Sequence, residues 1–144
     1  MILDTNALSA WLDGEPSIEI RLSSAEHVAL SVIVLGEYRF GVLYSRHHME
    51  YERRLALVEA DLPVIGIDSE TARHYVAIRK ELKEAGTPIP WHDLWIAAQA
   101  RQHELPVLSR DTHFDHVQGI LLDLAGDIDA KVSSPLRDPA FALP

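Results

Sequence analysis

The sequence predicts an α/β domain with a mainly parallel central sheet flanked by helices. Short apolar runs rich in branched residues alternate with longer segments of helical spacing, the pattern of strand-helix units. A length of 144 residues with 47% hydrophobic content suffices for one ordinary domain with a real core. Acidic residues follow two of the apolar runs directly, where an open parallel sheet gathers its functional groups.

Taken in order, residues 1–3 are a short apolar strand that ends at Asp4, and residues 7–12 form a first short helix. Pro16 opens a second helix over residues 17–24, before a strand over 27–31. Residues 32–44 are helical and strongly apolar, and residues 48–60 form a more charged helix. After a strand at 63–67, Asp68 is placed to cap a helix over 69–84, with Ala72, Tyr75, Val76 and Leu82 largely on one face. Gly86, Pro88 and Pro90 break the chain before the last long helix, residues 91–103. Strands at 106–109 and 120–124 complete the pattern. Prolines 135, 139 and 144 then mark a tail, which divides the chain into a domain over 1–125 and an extension over 126–144.

A formal net charge of −9 is the opposite of what a simple nucleic-acid-binding module carries. Cysteine is absent, which excludes disulfide frameworks and thiolate zinc sites. With no basic leader and no apolar stretch of membrane-spanning length, the sequence reads as a soluble, cytoplasmic protein.

The chemistry lies in five scattered acids: Asp4, Glu37, Asp93, Asp111 and, more weakly, Asp115. Each sits beside or inside an apolar run without an evident local cation. An ionised carboxylate removed from water must be paired, hydrogen-bonded or bound to metal, so a shared divalent cation is the economical answer. Singly, Asp4, Asp93 and Asp111 also read as helix caps, Glu37 as one acid on an amphipathic helix and Asp115 as a solvated group. Their joint placement is what the caps leave unexplained.

Leu3-Asp4-Thr5-Asn6, then Gly36-Glu37 and Phe40-Gly41, then His92-Asp93-Leu94-Trp95, then Leu108-Ser109-Arg110-Asp111 with His113-Phe114 form an ordered series. In that series the chain resembles the PIN-domain proteins, and more narrowly the VapC-type toxins of toxin–antitoxin pairs. The resemblance implies a PIN-like three-layer α/β fold and a Mg²⁺- or Mn²⁺-dependent endoribonuclease, with Asp4, Glu37, Asp93 and Asp111 on the family's acidic quartet and Asp115 at a weaker further position. It also implies an RNA substrate, a cognate antitoxin of VapB type and a homodimer. His92 stands where many relatives carry Asn, and Ser109 where Thr is more usual.

Mg²⁺ and Mn²⁺ favour oxygen ligands, which suits a carboxylate set. Asp4 and Asp93 are expected as the closest ligands, with Asp111 beside them and Glu37 placing water. Thr5, Asn6 and Ser109 are candidate hydrogen-bonding supports and equally ordinary turn or cap residues. Arg39, Arg46 and Arg53 recur every seven residues, lining a substrate path if the helix were continuous, or forming a solvated face. Arg39, Arg46 and Arg110 are thus candidate RNA or antitoxin contacts, Arg110 through phosphate or by neutralising Asp111.

Competing readings have weaker support. His113 and His116 around Asp111 and Asp115 offer a zinc alternative. His92-Asp93 is also the pairing of HD-type phosphohydrolases, but these are all-helical. A phosphorylation receiver needs a lysine after its last strand, and Lys80, Lys83 and Lys131 are not so placed. A PIN-like module that binds protein without chemistry is the remaining alternative. Trp91 and Trp95, four residues apart, are expected to pack in the core.

Overall fold

A computed structural model describes residues 1–120 and 122–124. The expected tail, 126–144, and its boundary at 125 lie outside the described residues. Five short strands and six helices alternate: β1 (Ile2–Leu3), α1 (Thr5–Leu12), α2 (Pro16–Ser24), β2 (Leu30–Ser31), α3 (Val32–Val42), α4 (His48–Asp61), β3 (Val64–Ile65), α5 (Ser69–Ala85), α6 (Trp91–His103), β4 (Val107–Ser109) and β5 (Leu122–Leu124). A 3₁₀ turn, Thr112–His116, follows β4.

All strand pairs are parallel. β1, β4 and β5 form one ladder and β2 with β3 another, and an isolated Ile2–Ala29 bridge brings β2 alongside β1. The resulting order is β3-β2-β1-β4-β5, so the chain builds outward from β1 on one side and then returns to start the other. The crevice between the carboxyl ends of β1 and β4 is the topological switch point, where open α/β sheets place their sites. Ile2, Leu3, Leu30 and Leu108 are fully buried, as expected of strands covered on both faces. The helices close a three-layer arrangement, with α5 packed on α6, and α3 touching both α1 and α6.

Local chemistry sets the helix ends. Asp68 and Thr71 form a reciprocal capping box on α5: the Thr71 N–H donates to Asp68 Oδ1 at 2.9 Å, and the Asp68 N–H donates to Thr71 Oγ1 at 3.1 Å. Gly86, at φ +71°, closes the same helix in a left-handed conformation that a side chain would resist. The strands are shorter than the apolar runs suggest, because only two or three residues of each run, mostly at its carboxyl end, pair with a neighbour. The helix expected over 32–44 ends at Val42, and the chain turns through 43–47 before α4. That turn breaks the supposed heptad of Arg39, Arg46 and Arg53.

Gln99 locks α6 to the sheet. Fully buried, it accepts from the Ser31 hydroxyl at 2.5 Å and donates through Nε2 to the carbonyls of Ile65 and Gly66 at 3.1 and 2.8 Å. One amide thus satisfies groups on both β2 and the end of β3. Replacing it with an isosteric hydrocarbon leaves those groups dry and unpaired. Gln99→Leu is expected to destabilise the domain by about 2–4 kcal/mol in chemical denaturation, and a loss under about 0.5 kcal/mol would show that the amide ties nothing together.

Candidate active site and metal centre

The site begins where β1 ends. Asp4 has extended backbone, and its Oδ1 accepts from the Ala7 N–H at 2.6 Å, capping α1. Its own N–H remains in the sheet, donating to the Leu108 carbonyl at 3.1 Å. Oδ2 accepts from the Ser109 hydroxyl, and Ser109 Oγ in turn accepts from the Asp111 N–H at 2.8 Å. A single buried hydroxyl therefore joins the two acid-bearing turns across the switch point.

Asp111 caps the 3₁₀ turn through the His113 N–H at 2.9 Å. Asp93 arrives from the other side, in the first turn of α6, where the helix dipole favours a negative charge. Seven of the thirteen residues of α6 are buried, so this helix carries a carboxylate inward on an apolar body; Asp93 is only 6% exposed. His113 Nδ1 lies between the two acids, 2.9 Å from Asp93 Oδ2 and 3.0 Å from Asp111 Oδ1. With carboxylate oxygens on both sides, Nδ1 is the ring nitrogen assigned the proton.

Glu37 completes the pocket from α3. Thr5 Oγ1 donates to its Oε2 at 2.5 Å, while His92 Nε2 stands 3.5 Å from Oε1 and 3.6 Å from Asp93 Oδ1. His92, at the position where Asn was the expectation, thus spans two of the acids and reaches further than an amide would.

Burial dominates the electrostatics. It raises the Asp4 carboxyl above its ordinary value, against the Ser109 and Ala7 hydrogen bonds and with added repulsion from Asp93 and Asp111. Burial also raises Asp93, opposed by the His113 hydrogen bond and by His92, with Asp111 repelling. The mutual repulsion of Asp4, Asp93 and Asp111 means that these three charges share one small region.

The oxygens of Asp93 and Asp111 and a nitrogen of His113 lie within 4.8 Å of one another. Two carboxylates and one imidazole at that spacing fit a divalent cation. Asp4 and Glu37 border this trio without joining it: the Asp4 oxygens face Ala7 and Ser109, and those of Glu37 face Thr5 and His92. The tight pair is Asp93 with Asp111, which differs from the expected pairing of Asp4 with Asp93. His113, expected only as part of the zinc alternative with His116, Asp111 and Asp115, is the third member of this group. Its signal was its place two residues after Asp111.

Other expectations are corrected. Asp115 and His116 are exposed and outside the trio, so the zinc alternative loses two of its four groups. Asn6 is exposed, and among the described residues it makes no hydrogen bond to the acids. Arg39 is held by Glu52 at 3.3 Å and Glu59 at 2.6 Å, pinning α3 to α4, and is not free for a ligand. Arg110 turns to Glu15 and, at 3.4 Å, to Ser17 Oγ, away from Asp111. Arg46 is exposed in the α3–α4 turn. Trp95 stacks on Tyr75 with ring centroids 4.1 Å apart, but Trp91 is 65% exposed and does not pack in the core.

Carboxylates gathered at the switch point of a parallel sheet covered by helices define a class of α/β domain whose site lies at the carboxyl edge of its strands. The PIN domain model matches residues 1–120, and the chain belongs to the PIN-domain family. Its relatives include VapC proteins. Ribonuclease VapC5 of Mycobacterium tuberculosis is 34% identical over 120 residues, 82% of this chain and 87% of that protein. The tRNA(fMet)-specific endonuclease VapC of Salmonella typhimurium is 31% identical over 128 residues, 85% of this chain and 95% of that protein. The solved structure of VapBC-5 from Mycobacterium tuberculosis, a member of the VapBC family of toxin–antitoxin systems, superposes with a TM-score of 0.64 at 33% identity, covering 85% of this chain and 97% of that one. A parallel sheet and these relatives set aside the all-helical HD alternative.

The raised Asp4 carboxyl gives a stability test. Its folded form favours the proton, so stability falls as pH rises from the ordinary value of 3.8 through the raised one, and the cost is present above it. Asp4→Asn retains an acceptor for the Ala7 N–H and removes the charge. In metal-free buffer at neutral pH its melting temperature should exceed that of the wild type by a few degrees, the gain vanishing in strong acid. An equal or lower melting temperature at neutral pH would show that the burial carries no such cost. Ser109→Ala should instead lose about 2 kcal/mol by stranding Asp4 Oδ2 and the Asp111 N–H, with Ser109→Thr recovering most of it in the same denaturation experiment.

Proposed function

We propose that the chain is a divalent-metal-dependent endoribonuclease that acts as the toxin of a toxin–antitoxin pair in the cytoplasm, with residues 1–125 as the nuclease unit and 126–144 as an extension to it. The observation that carries this reading is the convergence of Asp93, Asp111 and His113 on one ion-sized space, bordered by Asp4 and Glu37. Relatives named as a ribonuclease and a tRNA(fMet)-specific endonuclease support RNA as the substrate. The VapBC-5 structure supports a cognate antitoxin as partner.

Asp93 and Asp111 would hold the cation, with His113 as third donor once its Nδ1 proton has left, and Asp4 adding negative charge behind them. The oxygen-rich set favours Mg²⁺ or Mn²⁺. When bound, such an ion supplies Lewis-acid charge that activates water and offsets charge on the phosphoryl oxygens. Glu37, fixed through Oε2 by Thr5, keeps Oε1 toward the pocket and accepts a proton from the attacking water. A new bond forms between water oxygen and phosphorus as the bond to the leaving ribose oxygen breaks. Asp4 and Ser109 keep the two turns in register so that the acids remain aimed at one point.

Phe40, Tyr44 and Met49 are 72%, 88% and 78% exposed around Arg46 in the α3–α4 turn. Such a cluster supports a protein-binding face for the antitoxin or a second copy in a homodimer.

Mapping products on total cellular RNA after brief induction tests this reading, with purified protein assayed alongside. Chelation should abolish cleavage and added Mn²⁺ or Mg²⁺ restore it. Asp93→Asn should reduce cleavage to background and relieve growth arrest, and Glu37→Gln should lower the rate by about a hundredfold or more. Added Mn²⁺ should raise the melting temperature of the wild type and leave that of Asp93→Asn unmoved. Full cleavage by Asp93→Asn, or cleavage indifferent to chelation, would overturn the assignment.

A further inference from the structure

A second concavity opens one residue away from the acid pocket. It is a cleft of about 460 Å³ between α5 and the loop into α6, lined by Tyr75, Arg79, Lys83, Ile89, Trp91 and Leu94. Trp91 forms its rim and meets the His92 ring edge-on, with centroids 5.7 Å apart, while His92 itself contacts Glu37 and Asp93. Cleft and acid site thus meet at consecutive residues in the first turn of α6.

Its lining carries two cations outside any ion pair, a state shared among the described residues by Arg46 and Arg53. Arg39, Arg54, Arg73, Lys80, Arg101 and Arg110 are each held by a carboxylate. Arg79 and Lys83, one helical turn apart on α5 and both exposed, have no carboxylate partner among the described residues. Arg79 lies on Tyr75, its Nη1 3.3 Å from the hydroxyl and its guanidinium 5.9 Å from the ring centroid. In a chain of net charge −9, two uncompensated cations and an exposed indole in one cleft need an explanation. An apolar partner would leave both cations unpaired in a dry interface, and an acidic peptide would not use the indole face. Single-stranded nucleic acid uses both, since bases stack on aromatic rings and phosphates pair with cations.

We infer that this cleft holds the single-stranded RNA next to the bond being cut, with one base stacked on Trp91 and neighbouring phosphates paired with Arg79 and Lys83. The inference rests on the endoribonuclease reading and adds the substrate's path to it. It also accounts for how an acidic protein approaches a polyanion: the strand enters over a local positive edge and passes His92 into the acid pocket.

The test combines binding without chemistry and cleavage kinetics. Affinity of the full-length protein for a short, labelled, mixed-sequence single-stranded RNA is measured in chelator, over a range of salt, and kcat and KM are measured with Mn²⁺. Trp91→Ala should weaken binding about tenfold, with Trp91→Phe restoring most of it. Arg79→Ala with Lys83→Ala should weaken binding similarly and reduce the salt slope by about 1.4, the release expected from two single-strand phosphate contacts. The kinetic loss should fall on KM more than on kcat. Wild-type affinity, salt slope and KM in both variants would overturn the cleft as RNA path while leaving the nuclease assignment intact. A changed monomer–dimer balance without a change in RNA affinity would overturn it in favour of a self-association surface. A wild-type protein that binds this RNA but never cuts RNA would sink the nuclease reading and leave the cleft standing.

Discussion

The parallel pairing of β1 with β4 is the constraint on which everything else rests. It places the ends of two strands, Leu3 and Ser109, side by side although most of the chain separates them, and the Ser109 hydroxyl then joins Asp4 to the turn that carries Asp111. Without that pairing Asp4 and Asp111 would be independent helix caps. With it, each cap also becomes one wall of a pocket, because the residue that turns the chain out of the sheet must lie at the sheet's carboxyl edge. Capping and clustering are the same geometry seen at two scales.

The fold was legible because its signals are local. Branched apolar runs, the Asp68 cap and the Pro88–Pro90 break each fix a strand, a helix start or a helix stop without long-range information. The acids at strand ends were legible for the same reason. What sequence spacing could not show was the meeting of groups from different elements. His113 lies two residues from Asp111, yet its insertion between Asp111 and Asp93 depends on α6 packing against the 3₁₀ turn. The Arg39, Arg46, Arg53 heptad failed because periodicity assumes a continuous helix, and the turn at 43–47 interrupts it. Trp91 and Trp95 share a helix spacing but not a fate: Trp95 finds Tyr75, while Trp91 faces outward at the helix start.

A pocket of this kind is held against its own electrostatics. Asp4 and Asp93 are buried and repelled by their neighbours, so both carboxyls are pushed toward the protonated form. The protein offsets this with several hydrogen bonds: Ser109 and Ala7 on Asp4, His113 on Asp93 and on Asp111, and Thr5 on Glu37. Most of these donors leave lone pairs free, since an ionised carboxylate has about four acceptor positions. The scaffold thus orients the acids without neutralising them. Under the proposed function that remaining charge is what a divalent cation would satisfy, so the repulsion that disfavours the acids alone would favour a bound ion.

The same logic extends to the surface. Six described cations are held by acids, and three of them join separate elements: Arg39 ties α3 to α4, Arg101 ties α6 to α5, and Arg110 ties the turn after β4 to the start of α2. Pairing of that kind makes a cation part of the scaffold and removes it from recognition, since a ligand would have to displace a carboxylate already in place. Arg79 and Lys83 are different because α5 gives them no acid and the cleft gives them an aromatic floor. Arg79 and Lys83 give an acidic surface a small basic edge close to the carboxylates proposed to be catalytic, and phosphate is drawn there in preference to the acidic faces around it. Net charge then acts as a filter on the approach path, and the −9 that first argued against a nucleic-acid ligand becomes part of how one would be oriented.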